Sequence, residues 1–123
     1  MGAQSYRDLI VWQRSMDFVV MIYESTCNFP DTEKFGLTSQ LRRAAVSVPS
    51  NIAEGQGRRT AGEFLNALSI AHGSLREIET QLMLAERLKL IQSKTLESLL
   101  NQTTEIGKML NGLSNSLRKK RTL

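Results

Sequence analysis

From Ala61 to Ala85 the residues Ala61, Phe64, Leu68, Ala71, Leu75, Ile78, Leu82 and Ala85 recur at alternating spacings of three and four. This regularity constrains the fold more than any other feature of the chain. A strand sends alternate residues to opposite faces, so only a helix with one buried seam carries such a period for this length. Thr60-Ala-Gly-Glu63 precedes it with the spacing of a capping box, in which the threonine oxygen and the glutamate carboxylate each satisfy a backbone amide. The pattern predicts a helix over about 60–88.

Three further segments carry the same period. Leu9, Trp12, Met16, Val19, Tyr23 and Thr26 predict a helix over about 8–28, stopped at Phe29-Pro30-Asp31. Leu41, Ala45, Val48 and Ile52 predict one over about 37–56, beside the small residues Ala44, Ser47 and Ala53 that permit close backbone approach. Leu96, Leu99, Thr103, Ile106, Leu110, Leu113 and Leu117 predict one over about 93–118, with Ser93 as its cap. The short second and third connections make their flanking helices antiparallel neighbours. The expected fold is therefore all-α: a single domain over 1–123, an antiparallel up-down-up-down four-helix bundle with a flexible basic tail at 119–123. A chain of 123 residues is long enough to bury one such core without disulfides or a structural metal.

The first helix has more apolar surface than one seam uses. Val11, Phe18 and Ile22 fall roughly opposite the stripe from Leu9 to Tyr23. A second stripe on a soluble domain marks a subunit interface in preference to a widened core, so these three residues are expected to join copies in a homo-oligomer. Pro49, inside the second helix, removes one amide donor and frees the Ala45 carbonyl. A kink is expected there, with Ser47, Ser50 and Asn51 bonding the released groups and Asn51 recapping the second half.

The net charge of +4 is local. Residues 118–121 read Arg-Lys-Lys-Arg and hold four of the sixteen basic side chains, while the other twelve balance the twelve acidic ones. Any polyanion site on the body must arise from clustering. Gly55-Gln-Gly57-Arg58-Arg59 lacks the preceding strand and following Lys-Ser or Lys-Thr of a phosphate loop, and reads first as a turn. Arg58 and Arg59 nonetheless stand just before a helix N-terminus, where exposed amides favour an anion. Arg42 and Arg43 form a second candidate pair, with Arg43 also placed to pair internally with acids of a neighbouring helix. Arg118, Lys119, Lys120 and Arg121 would add salt-dependent attraction to a polyanion.

The candidates for catalysis are few. His72 has no second histidine or cysteine at ligand spacing, so no metal is expected. Glu77 and Glu79 point to different sides of their helix. Cys27 reads as a small core filler, and no nucleophile has a base nearby, so neither enzyme activity nor a cofactor is expected. No run approaches the roughly 18 apolar residues of a membrane span. The N-terminus lacks the pattern of a signal peptide, and a cytoplasmic location is the expectation.

Tyr6-Arg-Asp-Leu-Ile-Val-Trp-Gln13, Phe35-Gly-Leu-Thr-Ser-Gln-Leu-Arg-Arg-Ala-Ala-Val-Ser-Val-Pro-Ser-Asn-Ile-Ala-Glu-Gly55 and Gly73-Ser-Leu-Arg-Glu-Ile-Glu-Thr-Gln-Leu82 resemble a known family. It comprises the four-helix bundle proteins encoded by intervening sequences within bacterial 23S ribosomal RNA genes, the S23-like proteins. The likeness runs from about Tyr6 to Leu117. It implies a bacterial cytoplasmic protein that assembles as a ring, a homopentamer, with no catalytic residues to carry over. A related branch, the accessory proteins of diversity-generating retroelements, implies contact with nucleic acid and a reverse transcriptase. On this resemblance Arg42, Arg43, Arg58 and Arg59 are the candidate RNA or DNA contacts. The alternative is a scaffold that recruits a protein partner through Val11, Phe18, Ile22 and the small-residue second helix, without touching nucleic acid.

Overall fold

The computed structural model describes the backbone of residues 5–122 and the side chains of residues 5–120. The described residues form four α-helices and no strand: α1 (Ile10–Thr26), α2 (Leu37–Gln56), α3 (Ala61–Arg87) and α4 (Ser93–Thr122), with single 3-10 turns at Tyr6–Asp8 and Asp31–Glu33. Each helix touches two others. α1 packs on α2 and α4, and α3 packs on α2 and α4, with the α2–α3 contact the most extensive. α4 continues through Thr122 and so takes in residues that the sequence assigned to a flexible tail.

Seams read from the sequence fill the centre in three of the four helices. Leu41, Ala45, Val48 and Ile52 of α2 are fully buried, as are Leu68, Ala71, Leu75, Ile78, Leu82 and Ala85 of α3. Leu99, Thr103, Ile106 and Leu110 do the same in α4. A fully buried leucine or isoleucine contributes about 1.5–3 kcal/mol relative to exposure, so these seams supply most of the driving force.

The first helix departs from its expected seam. Val11, Phe18 and Ile22, expected at a subunit interface, lie in the core at 5%, 1% and 0% exposure. They form one stripe with Ser15 and Thr26, both also buried. Neither hydroxyl is left unpaired: Ser15 Oγ donates to the Val11 carbonyl at 2.7 Å, and Thr26 Oγ1 donates to the Ile22 carbonyl at 2.8 Å. The bond four residues back satisfies each hydroxyl donor within its own helix, so Ser15 presents little more than carbon to its neighbours, while the Thr26 oxygen keeps a free acceptor site. Successive residues are about 100° apart on a helix, so the stripe starting at Trp12 lies a quarter-turn away, at the edge of the core. Trp12 and Val19 are half-buried there, while Met16 and Tyr23 are exposed. Cys27 also departs from expectation. It closes α1 as an exposed residue, because the core stripe ends at Thr26.

Small residues set the α2–α3 approach. A Cβ on Gly55 would stand 2.7 Å from Ala67 Cβ and 2.8 Å from Phe64 Cδ1, so the two helices come closer there than an alanine permits. Ser47 and Ser74 share a hydrogen bond of 2.8 Å across the same contact, and Asn51 Nδ2 donates to both the carbonyl and the hydroxyl of Ser47. α2 is helical without interruption through buried Pro49, so Asn51 braces the α2–α3 contact and does not recap a second half. At the end of α3, Lys89 takes φ 65°, the Leu90 amide donates to the Ala85 carbonyl and the Lys89 amide to that of Glu86. These are the two bonds of a Schellman motif, with lysine where glycine is favoured.

A candidate nucleic-acid interface

The end of α1 meets the beginning of α2 through Arg42. Its Nε donates to Thr26 Oγ1 at 2.9 Å and its Nη2 to the Tyr23 carbonyl at 3.3 Å, with the guanidinium carbon 4.5 Å from the centre of the Tyr23 ring. The Tyr23 carbonyl belongs to the last turn of α1, where a positive charge also suits the helix dipole. Arg42 is thus a structural cation that keeps its charge near the surface. Arg43 next to it is exposed. The sequence allowed Arg43 to pair with acids of a neighbouring helix; the structure leaves Arg43 exposed and fastens Arg42 instead, to a hydroxyl and a carbonyl of α1.

The turn between the two helices presents another pair. Gly36 stands at the N-cap of α2 without a side chain to cap it, and Glu33 Oε1 accepts the Leu37 amide at 3.0 Å instead. With Glu33 turned back onto the helix, Lys34 and Phe35 project outward. Phe35 is 90% exposed, and Lys34 Nζ sits 5.5 Å from the centre of its ring. A cleft results, lined by Tyr23, Lys34, Phe35, Thr38, Arg42 and Arg43 among others, and no carboxylate lines it. Sequence reasoning missed Lys34 and Phe35. The available signal was an aromatic residue outside every seam, beside a lysine, in the stretch between Pro30 and Gly36.

Arg58 and Arg59 are exposed before α3, as the sequence placed them, but their surroundings differ. Arg58 shares its groove with Glu54 and Glu63, so carboxylates oppose an anion there. The Glu63 amide already donates to Thr60 Oγ1 at 3.1 Å, which takes up one of the free donors of that helix start. The structure does not unite the arginine pairs: Arg42 lies 14 residues before the last residue of α2, about 21 Å along the helix at 1.5 Å per residue, and Arg58 and Arg59 follow beyond that end.

α4 passes Glu79 at Thr103, whose Oγ1 donates to Glu79 Oε2 at 2.6 Å, and passes His72 at Gly107. In its last turns Arg118, Lys119 and Lys120 are exposed, Arg118 Nη1 donating to Asn115 Oδ1 at 3.0 Å. The side chain of Arg121 lies outside the described residues.

Pro49 and Ser50, expected at a kink, line an outer groove with Trp12, Met16, Val19 and Val46 between α1 and α2. The 3-10 turn at Tyr6–Asp8 closes one end of it, with the Tyr6 and Trp12 rings edge to face at 5.2 Å and Gln13 Nε2 donating to the Arg7 carbonyl at 2.8 Å. His72 faces α4 away from both clefts. Burial lowers its pKa below the ordinary 6.5, the Arg76 charge lowers it further, and a hydrogen bond with Asn111 opposes them. Among the described residues no group of three or more His, Cys, Asp or Glu is placed to hold a metal ion, and no helix is long and apolar enough to cross a membrane.

No curated protein matches the chain. Among solved structures it is similar to a protein of unknown function from the S23 ribosomal protein family of Bacteroides thetaiotaomicron. The two share 30% identity at a TM-score of 0.76, over 85% of this chain and 98% of the other. Residues 7–112 match the profile of the 23S rRNA-intervening sequence proteins, a span that takes in the Tyr6–Trp12 clasp from Arg7 onward, the Lys34–Arg43 cleft and the α2–α3 contact. With most of its length matched, the chain belongs to the 23S rRNA-intervening sequence protein family.

Proposed function

We propose that the chain is a non-catalytic, cytoplasmic subunit that assembles with copies of itself into a ring, of five as the resemblance implies, and binds structured RNA or DNA. The observation that carries the reading is the cleft at the α1–α2 junction, where Lys34, Arg42 and Arg43 gather with no carboxylate in the lining. Arg58, facing Glu54 and Glu63, is a secondary contact, and the basic end of α4 adds attraction that salt screens. A ring multiplies one modest patch into multivalent attraction without a high charge per subunit.

The up-down-up-down course of the helices belongs to the same reading. It is supported by contacts between the end of α1 and the start of α2, and between Gly55 late in α2 and Ala67 early in α3. Exposed Met16 and Val46, flanking half-buried Trp12 and Val19, offer an apolar surface for the neighbouring copy. A second reading rests on that groove. It would instead seat a helix of a protein partner.

Light scattering gives the assembly mass, and fluorescence anisotropy with a labelled RNA hairpin between about 50 and 200 mM salt gives the affinity and its salt slope. The double variant Lys34→Ala/Arg43→Ala should weaken binding and flatten the slope by about one unit for each phosphate no longer neutralised. An intact oligomer with no salt-dependent affinity for RNA or DNA refutes the reading. A protein partner that stays bound after nuclease treatment favours the scaffold.

A further inference from the structure

We infer that Phe35 is a stacking platform for an unpaired nucleobase, so that the proposed nucleic-acid cleft takes a single-stranded segment of its ligand and not duplex alone. The inference rests on the reading above and specifies its site. Phe35 is 90% exposed, an arrangement that leaves a large apolar ring in water at the tip of a turn. Nothing in the fold needs it there, since Glu33 caps α2 and Gly36 makes the turn. Lys34 covers one face of the ring from 5.5 Å, and the other face is left to a ligand.

The chemistry around the ring selects the occupant. Tyr23 supplies a second aromatic surface, already topped by Arg42, and Arg43 stands exposed on the next position of α2. An aromatic ring interleaved with cations, with no carboxylate lining the cleft, matches a chain of phosphates bearing flat bases. Base–aromatic stacking tolerates any sequence, because every base has a π-face. The faces of bases within a duplex are already stacked on one another, so an aromatic platform is reached by loops, bulges and ends.

The test uses the full chain and two labelled strands of about twelve nucleotides, one of oligouridylate and one with the same sugar-phosphate backbone lacking bases. Anisotropy is followed across the same salt range. Phe35→Ala should lower affinity for the uridylate strand roughly 5- to 150-fold, leave the abasic strand unchanged and keep the salt slope. Phe35→Trp should restore binding. Arg43→Ala should weaken both strands and flatten the slope by about 0.7. Wild-type affinity of Phe35→Ala for both strands, or an equal decrease on both, overturns the platform while leaving the nucleic-acid reading standing. A change of oligomer mass in Phe35→Ala by light scattering also overturns it, by making Phe35 a contact between copies. Failure of the wild type to bind either strand or the hairpin removes the broader reading along with this one.

Discussion

Gly55→Ala and Gly107→Ala are the same chemical change in the same kind of secondary structure, yet the packing gives them opposite signs. Both replace a helical glycine by the best helix former, a gain of about 1 kcal/mol in backbone entropy. At Gly107 the added methyl would lie 3.9 Å from both His72 Cε1 and Leu75 Cδ1, ordinary contact that adds dispersion without displacing anything. At Gly55 it would lie 2.7 Å from Ala67 Cβ and 2.8 Å from Phe64 Cδ1. Carbon atoms prefer about 3.5–4.0 Å, and a Cβ fixed to the α3 backbone has no rotamer by which to escape. The helices must part by about 1 Å, which stretches the Ser47–Ser74 hydrogen bond on the same contact. Overpacking of this kind costs about 1–3 kcal/mol, and the steric overlap places this case at the upper end. The net expectation is a loss of about 1–2 kcal/mol for Gly55→Ala and a gain of about 1 kcal/mol for Gly107→Ala. Urea unfolding followed by fluorescence of the single tryptophan, Trp12, and by far-ultraviolet circular dichroism reads both. Protein concentration is held fixed, because assembly adds to apparent stability. Gly55→Ala at or above wild-type stability, or both variants moving in one direction, would refute the close approach of α2 and α3.

Phe18→Ala should destabilise by about 3–5 kcal/mol with the assembly mass of the folded protein unchanged, since Phe18 is core and not interface; dissociation of the oligomer at unchanged stability contradicts that placement. Lys89→Gly should stabilise by about 1 kcal/mol, by relieving a left-handed residue in the Schellman turn, and a lower urea midpoint would count against it. His72 has a depressed folded pKa, so the unfolded chain binds its proton more readily. Its contribution to stability is fully present above about pH 6.5 and declines as pH falls from there through the lowered folded value. In His72→Gln that part of the slope should vanish, and an unchanged pH profile of the urea midpoint would dissociate the slope from His72.

Legibility in the sequence varied by element. The seams of α2, α3 and α4 were readable because their fully buried stripe positions are aliphatic residues or alanine apart from Thr103, which kept the spacing, while Ser74, Gln81 and Ser114 are buried beside the stripes without breaking their period. α1 was misread because Ser15, within its buried stripe, is a hydroxyl that a hydropathy pattern counts as polar. The expected seam therefore ran one residue late through Trp12, Met16, Val19 and Tyr23, sharing only Thr26 with the true core, and Val11, Phe18 and Ile22 looked like an interface. Arg58 and Arg59 were placed correctly at the head of α3, but the carboxylates that share a groove with Arg58 come from Glu54, on the preceding helix, and Glu63. That proximity is a property of the turn in three dimensions.

The amino-acid order by itself determined the four helices, the residues that end them and three of the inner faces, since each follows from the spacing of side chains along a single rod. Tertiary structure decided what the rods do to one another. It drew the hydroxyls of α1 inside by letting them bond their own carbonyls, fastened Arg42 to Thr26 and Tyr23, and left Arg43 exposed. It also turned Lys34 and Phe35 outward beside them by drawing Glu33 back to cap α2. Those outcomes depend on which groups from distant segments arrive within hydrogen-bonding reach, and periodicity along one segment carries no record of its neighbours.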